Sequence, residues 1–250
     1  MKTNLNQRRT GLTIIEVCVV IALLAVLASM LLPATSRSSQ HRAQRISCLN
    51  NLKEIGTAYR LWAGDNGDLV PSQQTVASNG WWDFLTNGNQ GARCWMNYAI
   101  MQNELGQSPK LVVCPADERQ PALAFTNGFD NTHVSYFVGV NANDTYPQSM
   151  LGGDRNLGPG TVPDPGYGFS PKDGKGNDVI IPISGPVCWS LKMHSAGNPA
   201  GGGNILLGDG SGQQMSSASF NQNWLRNAAG TNNWPAGHVP ATPSIRLVFP

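Results

Sequence analysis

Charge is scarce in this 250-residue chain: Asp, Glu, Lys and Arg together make up only 13% of it. A nucleic-acid binder needs a basic face to neutralise phosphates, and no basic stripe exists, so that class is excluded. Disorder is excluded as well, because 40% of the residues are apolar, enough for a chain of this length to bury a core. Histidine is scarcer still. His41, His133, His194 and His238 show no paired spacing, so neither an HExxH helix nor a zinc-finger pattern is present, and no metal ligand is expected. Catalytic motifs are lacking too. In "GDGSG" (208–212) the serine falls one position late for a nucleophile elbow, and the segment reads as a tight turn between two strands. With no nucleophile beside a base, an enzyme is not expected.

What the chain does have is glycine (28), proline (17) and one long apolar run. The first two describe a loop-rich folded body. The run extends from Leu12 to Leu32, interrupted only by Thr13, Glu16 and Ser29 and closed by Pro33. As a helix its 21 residues would span about 31 Å, against a hydrocarbon core of about 30 Å. A cleaved secretory signal fits poorly, since the run is too long, lacks a small-x-small site and contains a carboxylate. A plain signal anchor leaves Gly11 and Glu16 unexplained. A carboxylate inside lipid costs about 2.5–3.5 kcal/mol on insertion scales, so Glu16 needs a reason. Basic residues flank both ends (Lys2, Arg8 and Arg9; Arg37, Arg42 and Arg45), and the positive-inside rule is nearly a tie.

A short basic leader ending in Gly11, then an apolar residue, Thr13, two more apolar residues, Glu16, and Pro33 at the end of the run: this pattern resembles the type IV prepilin and type II secretion pseudopilin family. The resemblance implies cleavage by a prepilin peptidase after Gly11 and N-methylation of Leu12, which stands where Phe is commoner. Loss of that leader takes the 17 basic residues to 14 against 15 acidic, a net of −1. It also implies that Glu16 neutralises the terminal amine of a neighbouring subunit during filament assembly. Self-pairing with the Leu12 amine, one turn away, and snorkelling to the headgroups are the other openings for Glu16.

Beyond Pro33, which should bend the helix, Ile46, Leu49, Leu52, Ile55, Tyr59 and Trp62 recur on one helical face until "AGDNGD" (63–68) stops it. The remainder alternates Gly/Pro/Asn loops with β-prone runs at 111–113, 134–140, 179–183, 204–207 and 245–249, and with helical stretches at 94–105 and 217–228. Long loops are expected between 141 and 178. The expected fold is α+β and pilin-like: a long N-terminal helix, transmembrane in one half and amphipathic in the other, packed on an antiparallel sheet. The expected organisation is a leader (1–11), a transmembrane and assembly helix (12–33), its amphipathic half (34–64) and a head (65–250).

The head segments "CLNNLKEIGTAYRLWAGDNGDLVP", "LVVCPAD", "SYFVGVNAN…GGDRN" and "H…GGGNILLGDGSGQQ" resemble large prepilin-like proteins of Planctomycetes and Verrucomicrobia. Major pseudopilins of type II secretion bind calcium in their heads, which nominates Asp154, Asp173, Asp178 and Asp209. Yet "DGKGND" (173–178) has Lys175 where an oxygen ligand belongs, and no cofactor is expected. The paired tryptophans of "GWWDF" (80–84) are core anchors or a surface platform. Outside the cytoplasm, Cys48, Cys94, Cys114 and Cys188 could form disulfides in three ways. Cys48 with Cys114 is the favoured pairing, because Cys48 edges the helix face and Cys114 ends a run expected to be a strand; two buried free thiols are the alternative. Cys18 has no partner in the head.

The functional expectation is a structural subunit of a type II secretion pseudopilus or type IV pilus-like filament. Its partners would be prepilin peptidase, like subunits and an inner-membrane assembly platform. It would sit in the bacterial inner membrane as a single-pass protein with a periplasmic head, or in an extracellular filament. The alternative is a membrane-anchored periplasmic binding module that uses a prepilin-type leader.

Overall fold

The computed structural model describes residues 11, 13–31, 37–86, 93–126, 128–142, 144–182, 185–195, 201–221 and 244–250. The chain divides into two compact units, 1–40 and 41–250. In the first, helix α1 runs Ile14–Leu31. Helix α2, Arg37–Asp65, lies almost wholly in the second.

The expected helix with a membrane-crossing half is overturned: among the described residues no helix is long and apolar enough to cross a membrane. At 18 residues α1 extends about 27 Å, short of a hydrocarbon core of about 30 Å. The 29-residue α2 is long enough but carries charged residues along its length. Pro33 and its expected kink lie outside the described residues, as does Leu12.

The second unit is a mixed helix-and-sheet body. Its strands are β1 (Tyr136–Gly139), β2 (Met150–Asp154), β3 (Leu157–Pro159), β4 (Asn177–Pro182), β5 (Val187–Trp189), β6 (Gly202–Leu207), β7 (Gly212–Ser216) and β8 (Ser244–Phe249). Six of them form one antiparallel sheet in the order β4-β8-β1-β2-β6-β7, and β3 pairs with β5 in a second. Short helices α3 (Trp82–Thr86) and α4 (Cys94–Ile100) follow α2.

The large sheet is covered on both faces, which is why its inner strands are buried at every position rather than at alternate ones. The period-2 alternation persists underneath. Tyr136, Val138, Leu206 and Val248 join the core shared with α2, whereas Phe137, Ile205, Leu207, Leu247 and Phe249 join a second core with Leu157, Val187 and Trp189 of the small sheet.

Helix α2 buries Cys48, Leu52, Ile55, Ala58, Tyr59 and Trp62. The spacing of 4, 3, 3, 1 and 3 is helical, and the expected Leu52, Ile55, Tyr59 and Trp62 are among them; Ile46 is exposed, Leu49 is half-buried, and Cys48 and Ala58 complete the face. Gly56 sits on the same face. A Cβ there would meet Leu206 Cδ1 at 2.8 Å and the Gly210 carbonyl at 2.9 Å, so glycine lets α2 approach the β6–β7 turn. That turn is the expected hairpin through "GDGSG". Leu207 N donates to Ser211 O at 2.9 Å, Ser211 N to Asp209 Oδ1 at 2.8 Å, and Gly210 adopts φ +79°.

Other expectations fail locally. Residues 111–113 end a 3-10 turn (Pro109–Val112) rather than forming a strand, because Pro109 opens a turn there. The stretch expected as loop between 141 and 178 contains β2 and β3, whose Gly-rich sequences lack the β-branched signature.

Candidate functional site

Two places carry chemistry. The first is the start of α1. Thr13 N and Thr13 Oγ1 both donate to Glu16 Oε2, at 2.8 and 2.9 Å, and Glu16 N donates back to Thr13 Oγ1 at 3.3 Å. This reciprocal arrangement is a capping box: Thr-x-x-Glu satisfies amides that the first helical turn leaves without partners. Glu16 Oε1 accepts nothing among the described residues. Gly11 is exposed just ahead of this turn. Downstream, Ile14, Ile15, Val17, Val19, Val20, Ile21, Leu23, Leu24, Val26 and Leu27 are between 44% and 83% exposed and encircle the helix.

The second place lies inside the 41–250 unit, where four segments meet. Cys48 comes from the buried face of α2. Cys114 follows the 3-10 turn, its backbone held in a further turn by Asp117 N donating to Cys114 O at 2.9 Å. Asp154 ends β2, opposite Tyr136 in register. His194 sits in a 3-10 turn (Met193–Ser195) fastened to β6 by Gly202 N donating to Ser195 Oγ at 2.9 Å.

Their polar atoms converge. Cys48 Sγ donates to Asp154 Oδ1 at 3.0 Å, Cys114 Sγ lies 3.2 Å from His194 Nε2, and His194 Nε2 lies 3.4 Å from Asp154 Oδ2. Asn204 N donates to Asp154 Oδ2 at 2.6 Å, and Tyr136 Oη lies 3.3 Å from Cys48 Sγ. All four residues are buried. Burial pushes the Asp154 carboxyl up despite the pull of His194. It pushes the Cys48 thiol up as well, and the neighbouring Asp154 adds to this. For Cys114 burial acts upward, but hydrogen bonds from Cys48 and His194 bring the thiol below its ordinary value. Burial would lower His194, yet attraction to Asp154 and Cys114 raises it.

Cys48 and Cys114 are brought together, but as free thiols, like Cys18, Cys94 and Cys188. Asp154, one of the calcium candidates, and His194 join them there. No spacing signal marks the set, because its members are 66, 40 and 40 residues apart along the chain. The other calcium candidates are occupied elsewhere: Asp173 pairs with Lys175, Asp178 with Arg246, and Asp209 caps its own turn. Trp81 is fully buried with Nε1 donating to Asn97 Oδ1 at 3.2 Å, and Trp82 packs against the same core, so "GWWDF" is an anchor. His238 lies outside the described residues. No protein-family model, curated protein or solved structure matches this chain.

Proposed function

We propose that this chain is a structural subunit of a type II secretion pseudopilus or type IV pilus-like filament. It is processed by a prepilin peptidase after Gly11, N-methylated at Leu12, and assembles through α1. One observation carries the reading: α1 exposes apolar side chains around its whole circumference and bears a single carboxylate in its first turn. A helix apolar all round is stable only when covered, and among the described residues nothing in its own short unit covers it. Like helices of neighbouring subunits supply that cover. Glu16 then has two tasks, since one oxygen caps its own helix through Thr13 while the other faces a neighbour's terminal amine. The 41–250 unit is the body displayed outside the cytoplasm, and the assembly platform of the inner membrane is the partner that adds subunits.

Glu16→Gln separates the two tasks. Glutamine keeps an acceptor for Thr13 but loses the charge. Glu16→Gln should be cleaved normally yet enter filaments at least tenfold less than the parent when the two are co-expressed. Equal incorporation would show that capping alone explains Glu16 and would remove the assembly role.

A further inference from the structure

We propose that Cys48, Cys114, Asp154 and His194 are the ligands of a structural zinc ion that joins α2 to the large sheet. Each residue offers one ligand atom, and the four atoms lie within 4.8 Å of one another. Around a tetrahedral zinc with bonds of about 2.0–2.3 Å, neighbouring donors stand about 3.3–3.8 Å apart. Cys48 Sγ to Asp154 Oδ1 (3.0 Å) and Cys114 Sγ to His194 Nε2 (3.2 Å) need to open by only a few tenths of an ångström to match, and His194 Nε2 to the other carboxylate oxygen, Oδ2, is already 3.4 Å.

Donor chemistry selects the ion. Two thiolates with one imidazole and one carboxylate suit zinc, whereas calcium and magnesium take oxygen ligands. Four protein donors complete a tetrahedron, and all four are buried, so no position is left for substrate and the role is structural. Binding releases two protons, one from each thiol, as two sulfur–zinc bonds form. The bound set carries a net charge of −1, and Arg45 is near enough to attract Asp154. Arg45 is itself positioned by Nη2 donating to Gly203 O at 3.3 Å. His194 aims Nε2 at the other donors, and its Nδ1 meets no partner among the described residues. Nδ1 therefore holds the ring proton when Nε2 ligates.

Hydrogen bonding alone serves this cluster poorly. A thiol is a weak donor, yet here it is the one given to Asp154 Oδ1 in a fully buried place. A divalent cation satisfies both sulfurs, the carboxylate and the imidazole at once. The four residues also come from segments 66, 40 and 40 residues apart along the chain, and a metal link that closes such long loops stabilises most. The site stands independently of the filament reading and neither requires nor implies it.

The test uses the full-length chain purified without chelator. Elemental analysis should find one zinc per chain. Exchange for cobalt(II) should give the visible bands of tetrahedral cobalt and a thiolate-to-cobalt charge-transfer band. Cys114→Ser should halve that band by removing one of two cobalt–sulfur bonds, and Cys188→Ser should leave it unchanged. Where Cys114→Ser fails to fold, the zinc count and cobalt spectrum of the parent decide alone. The proposal is overturned by a folded parent that holds no zinc and develops no cobalt–thiolate band. Peptide mapping that finds Cys48 bonded to Cys114 overturns it equally, as does a Cys188→Ser chain that loses the band.

Discussion

Arg155 grips Asp117 with two parallel hydrogen bonds, Nε to Oδ2 at 2.7 Å and Nη2 to Oδ1 at 2.8 Å, both side chains being almost wholly buried. Arg155 follows Asp154, and Asp117 lies three residues after Cys114, so the pair clamps together the strand end and the loop that deliver two members of the cluster. Tyr167 completes the clamp: its hydroxyl donates to Asp117 Oδ1 at 3.0 Å, and the guanidinium lies 3.4 Å from its ring centroid.

Removing one partner leaves the other as an uncompensated buried charge. Asp117→Ala should therefore lower the unfolding free energy by about 3–5 kcal/mol. Replacing both partners with apolar residues of similar size (Asp117→Leu with Arg155→Met) should recover more than half of that loss, because no charge then remains buried. Urea unfolding of the single and double variants measures both values, and a double variant no better than Asp117→Ala would refute the charge argument.

The same pair sets an acid limb. Burial alone would raise the Asp117 carboxyl, but the bonds and charge of Arg155 outweigh it and hold the group below its ordinary value. A carboxyl depressed in the folded state contributes stability in full above its unfolded pKa of about 3.9, and that contribution is lost as pH falls through the folded value. Below about pH 4 the parent should lose stability more steeply than Asp117→Ala, which lacks the group. Urea midpoints collected from pH 5 downward give the two slopes, and parallel limbs would contradict the assignment.

The sequence was legible where one physical rule acted alone. The β6–β7 hairpin follows from its Gly/Asp turn, and β4, β6 and β8 from runs of branched apolar residues. It was misleading where tertiary contacts overrode local preference. Met150–Asp154 reads "MLGGD" and looks like a loop, yet its glycines are what allow close strands: a Cβ on Gly153 would meet the Phe137 ring at 2.7 Å and Asn204 O at 2.8 Å. The cluster was half legible. Cys48 and Cys114 stood out as cysteines, but Asp154 and His194 join them only through the folding of β2 and of the 193–195 turn.

The stripe expected on α2 contains a position that is buried and one that is not. Leu52 is buried in the core with Ile55 and Tyr59, whereas Ile46 is more than half exposed. Leu52→Ala should cost about 2–5 kcal/mol through lost burial and the cavity left behind. Ile46→Ala should change stability by no more than about 0.5 kcal/mol, as a surface substitution. Thermal or urea unfolding of the two variants separates them, and equal losses would mean that Ile46 is buried as Leu52 is.

Thiol counting distinguishes the cluster from a disulfide between Cys48 and Cys114. Cys18 is exposed, while Cys48, Cys94, Cys114 and Cys188 are buried. Burial also pushes the Cys94 thiol far up, and the thiolate is the reactive form, so Cys94 should be inert in the folded chain. A maleimide added to the folded protein should therefore modify one thiol quickly, at Cys18, and the other four orders of magnitude more slowly. In denaturant with chelator and without reductant, all five should react. A total of three, with Cys18, Cys94 and Cys188 modified, would instead mark a bond between Cys48 and Cys114. Mass spectrometry gives the count, and protein exported to an oxidising compartment is the sample to use, because only there could such a bond persist.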